Sequence, residues 1–328
     1  MALIREHQLV RLLREVDVFI ARELAGQMAE GGGFDSYQSA DIETAVSELC
    51  SNALRYGRRG WAILRISPIA FEAVITDEGP GFESAPETKS GLGVGLAGAG
   101  RLMDHLSIQP MPVGSRVTIK KQRPEADSSL GSSYEWEMSV VNRRRTGRSV
   151  SGDKWHALPH EDTLTVVVVD GLGSGERAAE ASTVVVDNFI AQEQASPLDE
   201  MVVSFHDAAR ETRGVVGMIT RINGPELEYC GFGDVGGRVE PAGETLILQH
   251  GILGVEITEP VVRRLPWAKG SRLALWTDGL RPPVDVLSHV PDGPELDDWI
   301  DDLALGHGTE LDDGLLLLAT QTKPVDKS

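Results

Sequence analysis

The chain has 328 residues, enough for two domains of ordinary size, and its 41% hydrophobic and 25% charged content fits a soluble globular protein with real cores. Its formal charge of −19 argues against sequence-independent binding of nucleic acid or of acidic membranes. Phosphate chemistry stays open, because acidic sites handle phosphates through divalent cations. The two cysteines, Cys50 and Cys230, lie far apart without metal-ligand spacing, which fits a reducing cytoplasm.

The N-terminus, MALIREHQLVRLLREVDVFIARELAGQMA, mixes charges through its apolar positions and reads as neither a signal peptide nor a spanning helix. Leu9, Leu12, Leu13, Val16, Phe19, Ile20 and Leu24 recur at helical spacing and predict an amphipathic helix. In DIETAVSELCSNALRYG, 41–57, Ala45, Val46, Leu49, Ala53 and Leu54 form one apolar helix face. Glu48 and Asn52, four apart, therefore share another. A carboxylate beside an amide oxygen can order a water and complete a magnesium shell; an exposed polar pair is the plain alternative. In FEAVITDEGPGF, 71–82, a strand delivers Asp77 into a glycine turn where backbone can approach a ligand. Asp77 there can accept from an exocyclic amino group such as that of adenine, or simply belong to an acidic turn. SGLGVGLAGAGRLMD, 90–104, reads as a glycine-rich loop leading into a helix, with backbone amides suited to phosphate. The strand GSRVTIKK closes this half.

KKQRPEADSSLGSSYEW, 120–136, has the composition of a linker. Beyond it YEWEMSVV, TLTVVVVD, GVVGMITRI, RLALWTD and GLLLLAT read as strands of an α+β sandwich, with no internal repeat. The four valines of TVVVVDGLGSGERAAEAS imply a strand buried on both faces that ends on Asp170. An unpaired carboxylate there is costly, so it needs a counter-charge; a tight turn capping a helix near Glu176 is the other reading. Asp153 in SGDKW, Asp278 after RLALW, and Asp312 and Asp313 ahead of GLLLLAT place acids at the ends of further apolar strands. Converging carboxylates repel one another without cations, and hard oxygen donors without a His or Cys cluster select magnesium or manganese over zinc.

In their order, the three N-terminal segments resemble the Bergerat-type (GHKL) ATP-binding fold of gyrase, Hsp90, histidine kinases and anti-sigma-factor kinases. SGLGVGLAGAGRLMD is most similar to the serine/threonine switch kinases of bacterial stress-response partner switching. That resemblance implies ATP, with Asn52 binding magnesium, Glu48 as general base and Asp77 on adenine. Gly79, Gly81, Gly93, Gly95 and Leu96 would shape the pocket and lid. No histidine-phosphoacceptor helix pair precedes the domain, so a histidine kinase is not expected.

SGDKW, VVDGLGSGERA, RETRGVVGMITRI, CGFGDVGGRV, HGILG, WTDGL and DDGLLLLA, also in order, resemble the metal-dependent PP2C-type phosphatases of the SpoIIE branch. By that resemblance Asp170 bridges two Mn2+ or Mg2+ ions and Gly171 offers its carbonyl to one. Asp278 and Asp312 hold the second ion, and Asp153 and Asp313 complete or orient the shells. A water acidified by both ions would attack phosphorus in line. Two departures are Asp234, where related proteins commonly carry asparagine, and Leu315, where threonine is usual. His156, His206 and His250 read as surface or structural.

The expected architecture is α+β in two domains. A GHKL-type α/β sandwich over 1–121, with a mixed sheet and helices on one face, is followed by a linker (122–132), a PP2C-like αββα sandwich (133–322) and a tail (323–328). The expected function is a bifunctional cytoplasmic regulator that phosphorylates and dephosphorylates serine or threonine on a partner. The resemblance implies a small STAS-type antagonist or stressosome-like protein, with an anti-sigma or sigma factor as a further partner, and neither nucleic acid nor membrane. The alternative is an ATP-gated, non-catalytic binding module controlling the phosphatase.

Overall fold

The computed structural model describes residues 2–80, 92–123, 134–160, 162–293 and 295–322, the side chains of 92–94 excepted. Gly81, most of the expected linker and the tail 323–328 lie outside the described residues. The chain divides into two compact units, Arg5–Leu130, and Met1–Ile4 with Gly131–Ser328. Among the described residues no helix is long and apolar enough to cross a membrane.

The first unit contains β1 (Ala2–Leu12) from Arg5 onward, α1 (Glu15–Gly31), α2 (Ser36–Gly57), β2 (Gly60–Ile66), β3 (Ala70–Asp77), α3 (Leu92–Leu102), β4 (His105–Pro110) and β5 (Ser115–Gln122). Its strands run in the order β1-β2-β3-β5-β4, and each ladder is antiparallel, which refines the expected mixed sheet. Period-two positions Ala62 and Leu64, Phe71, Ala73 and Ile75, and Val117 and Ile119 share one core with Ala21, Leu24 and Ala25 of α1 and Ile42, Val46 and Leu49 of α2. The helices therefore cover one sheet face.

The N-terminus corrects the expected helix. Leu9 and Leu12 belong to β1, which pairs with β2 from Glu6↔Ile66 to Leu12↔Gly60. Both Leu9 and its neighbour Val10 are buried, and a strand buried on both faces shows an apolar run that periodicity cannot separate from a helix. The helix starts only at Glu15, where the buried Asp17 carboxylate accepts the N–H groups of Leu13 (3.0 Å) and Arg14 (2.8 Å). Leu13, Val16 and Phe19 stay exposed.

The second unit contains β6 (Trp136–Arg143), β7 (Asp153–His160), β8 (Thr163–Gly171), α4 (Glu176–Ala191), α5 (Leu198–Ala208), β9 (Val215–Asn223), β10 (Glu226–Phe232), β11 (Gly236–Glu240), β12 (Glu244–Thr245), β13 (Gly251–Ile252), β14 (Glu256–Ile257), β15 (Arg263–Pro266), β16 (Arg272–Trp276), α6 (Val284–Leu287), α7 (Glu295–His307) and β17 (Gly314–Gln321). Two antiparallel sheets, β12-β11-β16-β17-β6 and β15-β10-β9-β8-β7, face one another. Trp136, Met138, Leu273, Leu315 and Leu317 meet Leu164, Val166, Val168 and Met218 between them. Phe189 of α4 and Met201 and Phe205 of α5 cover the outer face of the second sheet, while α7 packs on β6 of the first. This is the expected αββα sandwich.

The valine strand is buried as its composition requires. Val166 and Val168 enter the inter-sheet core, and Val167 and Val169 point under α4 and α5. Each fully buried valine contributes roughly 1.5–3 kcal/mol relative to exposure, so β8 is a rigid delivery rod for the residue at its end.

Candidate functional sites

Asp170, next to last in β8, lies directly opposite Asp153, the first residue of β7. Asp278 follows β16, and Asp312 and Asp313 precede β17. The two sheets thus bring all five carboxylates to one end of the sandwich. Their protonation records the crowding. Burial first, then the charge of Asp278, with Asp312 and Asp234 adding, raises Asp170 to about 7. Burial, then the charge of Asp170, holds Asp153 well above the usual carboxylate range. Asp278 is raised by burial and then by Asp312 and Asp234.

Not all five are free to bind an ion. Both oxygens of the buried Asp313 are occupied, one by the Gly152 N–H and one by the Arg145 N–H, each at 2.8 Å. Asp153, only 2% exposed, accepts the Thr277 hydroxyl at 2.6 Å. Among the described residues no three Asp, Glu, His or Cys side chains form a ready-made cage. An open set of carboxylates fits magnesium, which keeps several waters and takes one or two protein carboxylates, better than zinc.

Sequence reasoning missed the groups that fasten these acids. Thr277 Oγ1 donates to Asp153 and accepts the Leu315 N–H at 2.8 Å, joining the two sheets through one hydroxyl. It lies inside the quoted WTDGL, but only the fold shows what it touches. Leu315 itself is fully buried in the inter-sheet core, so its departure from threonine is a packing change. Asp234 is exposed, 3.8 Å from Arg281, and adds negative charge beside Asp170 and Asp278. His156 packs edge-on against Phe189 and His206 Nδ1 accepts the Gly254 N–H, both structural roles.

A Thr277→Ala variant leaves a buried Leu315 N–H and the Asp153 carboxyl without their shared partner. It is expected to lower stability by about 2 kcal/mol, with Thr277→Ser restoring it, as read by urea unfolding.

In the first unit, α2 begins at an Asp35–Gln38 capping box, with Gln38 N–H on Asp35 Oδ1 at 2.8 Å. It presents exposed Glu48 and half-buried Asn52 one turn apart. The expected glycine loop is already helical, since α3 starts at Leu92 and takes in Gly93 and Gly95. Close approach explains the glycine: a Cβ on Gly95 would stand 2.7 Å from Glu48 Oε2 and 3.5 Å from Asn52 Nδ2. Leu96 rests on the domain core. Asp77, at the end of β3, accepts the Gly79 N–H at 2.8 Å through Oδ1 and the Ser115 hydroxyl through Oδ2. Ser115, at the start of β5, was not anticipated.

The histidine kinase-like ATPase domain family matches residues 13–121. Over 112 residues the chain is 35% identical to the serine/threonine-protein kinase RsbT of Bacillus subtilis, a match covering 30% of this chain and 83% of that protein. The chain belongs to the histidine kinase-like ATPase family. Over 179 residues it is also 26% identical to the phosphoserine phosphatase RsbX of Bacillus subtilis, covering 53% of this chain and 89% of that protein. A crystal structure of RsbX in complex with magnesium matches at a TM-score of 0.50 and 22% identity, over 66% of this chain and 100% of that one. The chain therefore joins a histidine kinase-like ATPase domain to a second domain that is similar in sequence and fold to the phosphoserine phosphatase RsbX, in line with both sequence resemblances.

Proposed function

We propose that the chain carries both arms of a cytoplasmic phosphorylation switch acting on serine or threonine of a partner protein. The hydrolytic arm rests on one observation: Asp170, Asp278 and Asp312 meet at one end of the sandwich, where burial and then the charges of its neighbours raise Asp170 to about 7. Hard cations relieve that repulsion, and Mg2+ or Mn2+ is the counter-charge suited to the donors. Asp170, Asp278, Asp312 and the Gly171 carbonyl would hold the ions, while Asp153 and Asp313, already engaged, orient the rest. Bound ions supply a water of lowered pKa and neutralise charge on the phosphoryl group.

In the ATPase domain, Asn52 would bind the magnesium of ATP, Glu48 act as general base and Asp77 hold adenine. Gly79, Gly81, Gly93, Gly95 and Leu96 would line the pocket and lid. The relatives' names, a serine/threonine kinase and a phosphoserine phosphatase, support opposed activities in one chain. A STAS-type antagonist or stressosome-like protein is the substrate proposed for both.

With Mn2+ and a phosphoserine form of such a partner, wild-type protein is expected to release phosphate, and Asp278→Ala to do so ~100-fold more slowly or worse. With labelled ATP, the partner is expected to acquire label from wild type and none from Asn52→Ala. Full hydrolysis by Asp278→Ala would sink the first assignment. ATP that alters the phosphatase rate without label transfer would make the first domain a gate instead of a kinase.

A further inference from the structure

Beside the carboxylate cluster lies a cavity of about 360 Å3 whose walls include Arg148, Arg177, Arg213, Ser149, Ser174 and Glu176. The chain holds 50 acidic and 31 basic residues, so cations in it have abundant choice of partners. Exposed arginines elsewhere take one: Arg59 meets Glu78, and Arg264 meets Glu228. Among the described residues, the guanidinium groups of Arg148, Arg177 and Arg213 take none, although all three residues are exposed. Three like charges around one cavity disfavour each other and favour an anion between them.

The cavity is tied to the carboxylates by the chain itself. Ser174–Arg177 follow Asp170 and Gly171 around a single turn, and the Leu172 N–H on the Gly214 carbonyl (3.1 Å) fixes Arg213 alongside. Arg145 joins the two features, its backbone N–H on Asp313 Oδ1 at 2.8 Å and its Nη1 on Ser174 Oγ at 3.2 Å. Space for the guanidinium groups is kept by the turn, since a Cβ at Gly173 would lie 2.7 Å from Arg213 Nη1.

We propose that this pocket, principally through Arg177 and Arg213, docks an anionic side chain of the substrate protein that flanks the phosphoserine presented to the carboxylate cluster. The inference rests on the phosphatase reading and deepens it, by making acidity near the phosphoserine a determinant of substrate choice. The shared chemistry is a carboxylate or a second phosphate, either matched by the fork of a guanidinium. Both arginines are positioning residues, one loop away from the acids that would hold the ions.

The test compares three phosphoserine peptides in full-length protein with Mn2+: one with flanking Asp/Glu, one with a second phosphoserine, one with neutral flanks. Wild type is expected to show a KM about tenfold lower for an anionic flank than for the neutral one. In Arg177→Glu/Arg213→Glu the preference disappears, with hydrolysis of p-nitrophenyl phosphate kept within about twofold. Whichever anionic flank carries the advantage identifies the source. Equal KM values in wild type, or equal losses on peptides and on p-nitrophenyl phosphate, would overturn the proposal. Calorimetric titration of the unphosphorylated acidic peptide in chelator separates the two readings. If wild type hydrolyses nothing, the phosphatase reading fails alone, and binding weakened about tenfold by the double variant still supports the pocket. Binding that the variant leaves unchanged overturns it.

Discussion

Asp170→Asn is expected to remove metal-dependent phosphatase activity and, at the same time, to stabilise the metal-free protein at neutral and alkaline pH. Burial and the charges of Asp278, Asp312 and Asp234 lift the folded Asp170 from an ordinary 3.8 to about 7, against the hydrogen bond from Asp153. A folded value above the unfolded one means that the native chain binds this proton more tightly. Its stabilising contribution is then complete below pH ~4 and is lost as pH rises through about 7. Asparagine carries no charge to lose. In chelator at pH 8 the variant should therefore be more stable by on the order of 2–4 kcal/mol, with the gap closing as pH falls toward 4. Added Mn2+ should raise the melting temperature of wild type by mass action and that of the variant far less. Urea unfolding at several pH values, with and without Mn2+, reads all of this. A wild type whose stability in chelator rises between pH 5 and 8, or that gains nothing from Mn2+, would contradict the crowded carboxylates.

How far the sequence disclosed this site depended on which physical signal each residue carried. Asp170, Asp278 and Asp312 were visible because buried strands leave long apolar runs, and a charge at the end of such a run stands out. Gly95 and Asp77 were visible through their glycine-rich surroundings, although the helix that holds Gly95 begins earlier than a loop reading allows. Thr277, Arg145 and the Gly152 N–H carried no such mark. Each acts through a hydrogen bond to a residue far away in the chain, and only the face-to-face packing of the two sheets and the pairing of β17 with β6 bring the partners together. The arginine pocket was hidden for the same reason, since Arg148, Arg177 and Arg213 come from three separate segments. At the N-terminus the apolar spacing misled outright, because β1 is buried around Leu9 and Val10 and its long-range ladder with β2 overrides a local helical pattern. Asp234 was noticed as a substitution, yet its effect is electrostatic and needs the positions of Asp170 and Asp278 to be read.

Gly171→Ala is expected to be among the most damaging single-methyl changes in the second unit. Gly171 closes β8 where α4 crosses it, and a Cβ there would stand 2.0 Å from the Ala178 carbonyl oxygen and 2.8 Å from Ser182 Oγ. The first obstacle is backbone, so no rotamer change relieves it; strand end and helix must part by about an ångström. That movement would also disturb the Gly171 N–H bond to the Gly152 carbonyl (3.2 Å), an oxygen that Ser182 also engages. Gly152 in turn donates to Asp313, so the strain runs into the carboxylate cluster from two sides. The expected loss is about 3 kcal/mol or more, above the usual cost of overpacking because the clash is with main chain. Mn2+ affinity should fall with it, since the Gly171 carbonyl sits beside Asp170. Gly306→Ala provides the contrast: exposed near the end of α7 with nothing within 4 Å of its Cβ, it should be neutral or gain up to ~1 kcal/mol from helix propensity. Chemical unfolding and Mn2+ titration of the two variants side by side decide the matter. A Gly171→Ala protein as stable as Gly306→Ala would show that β8 and α4 do not meet as closely as described.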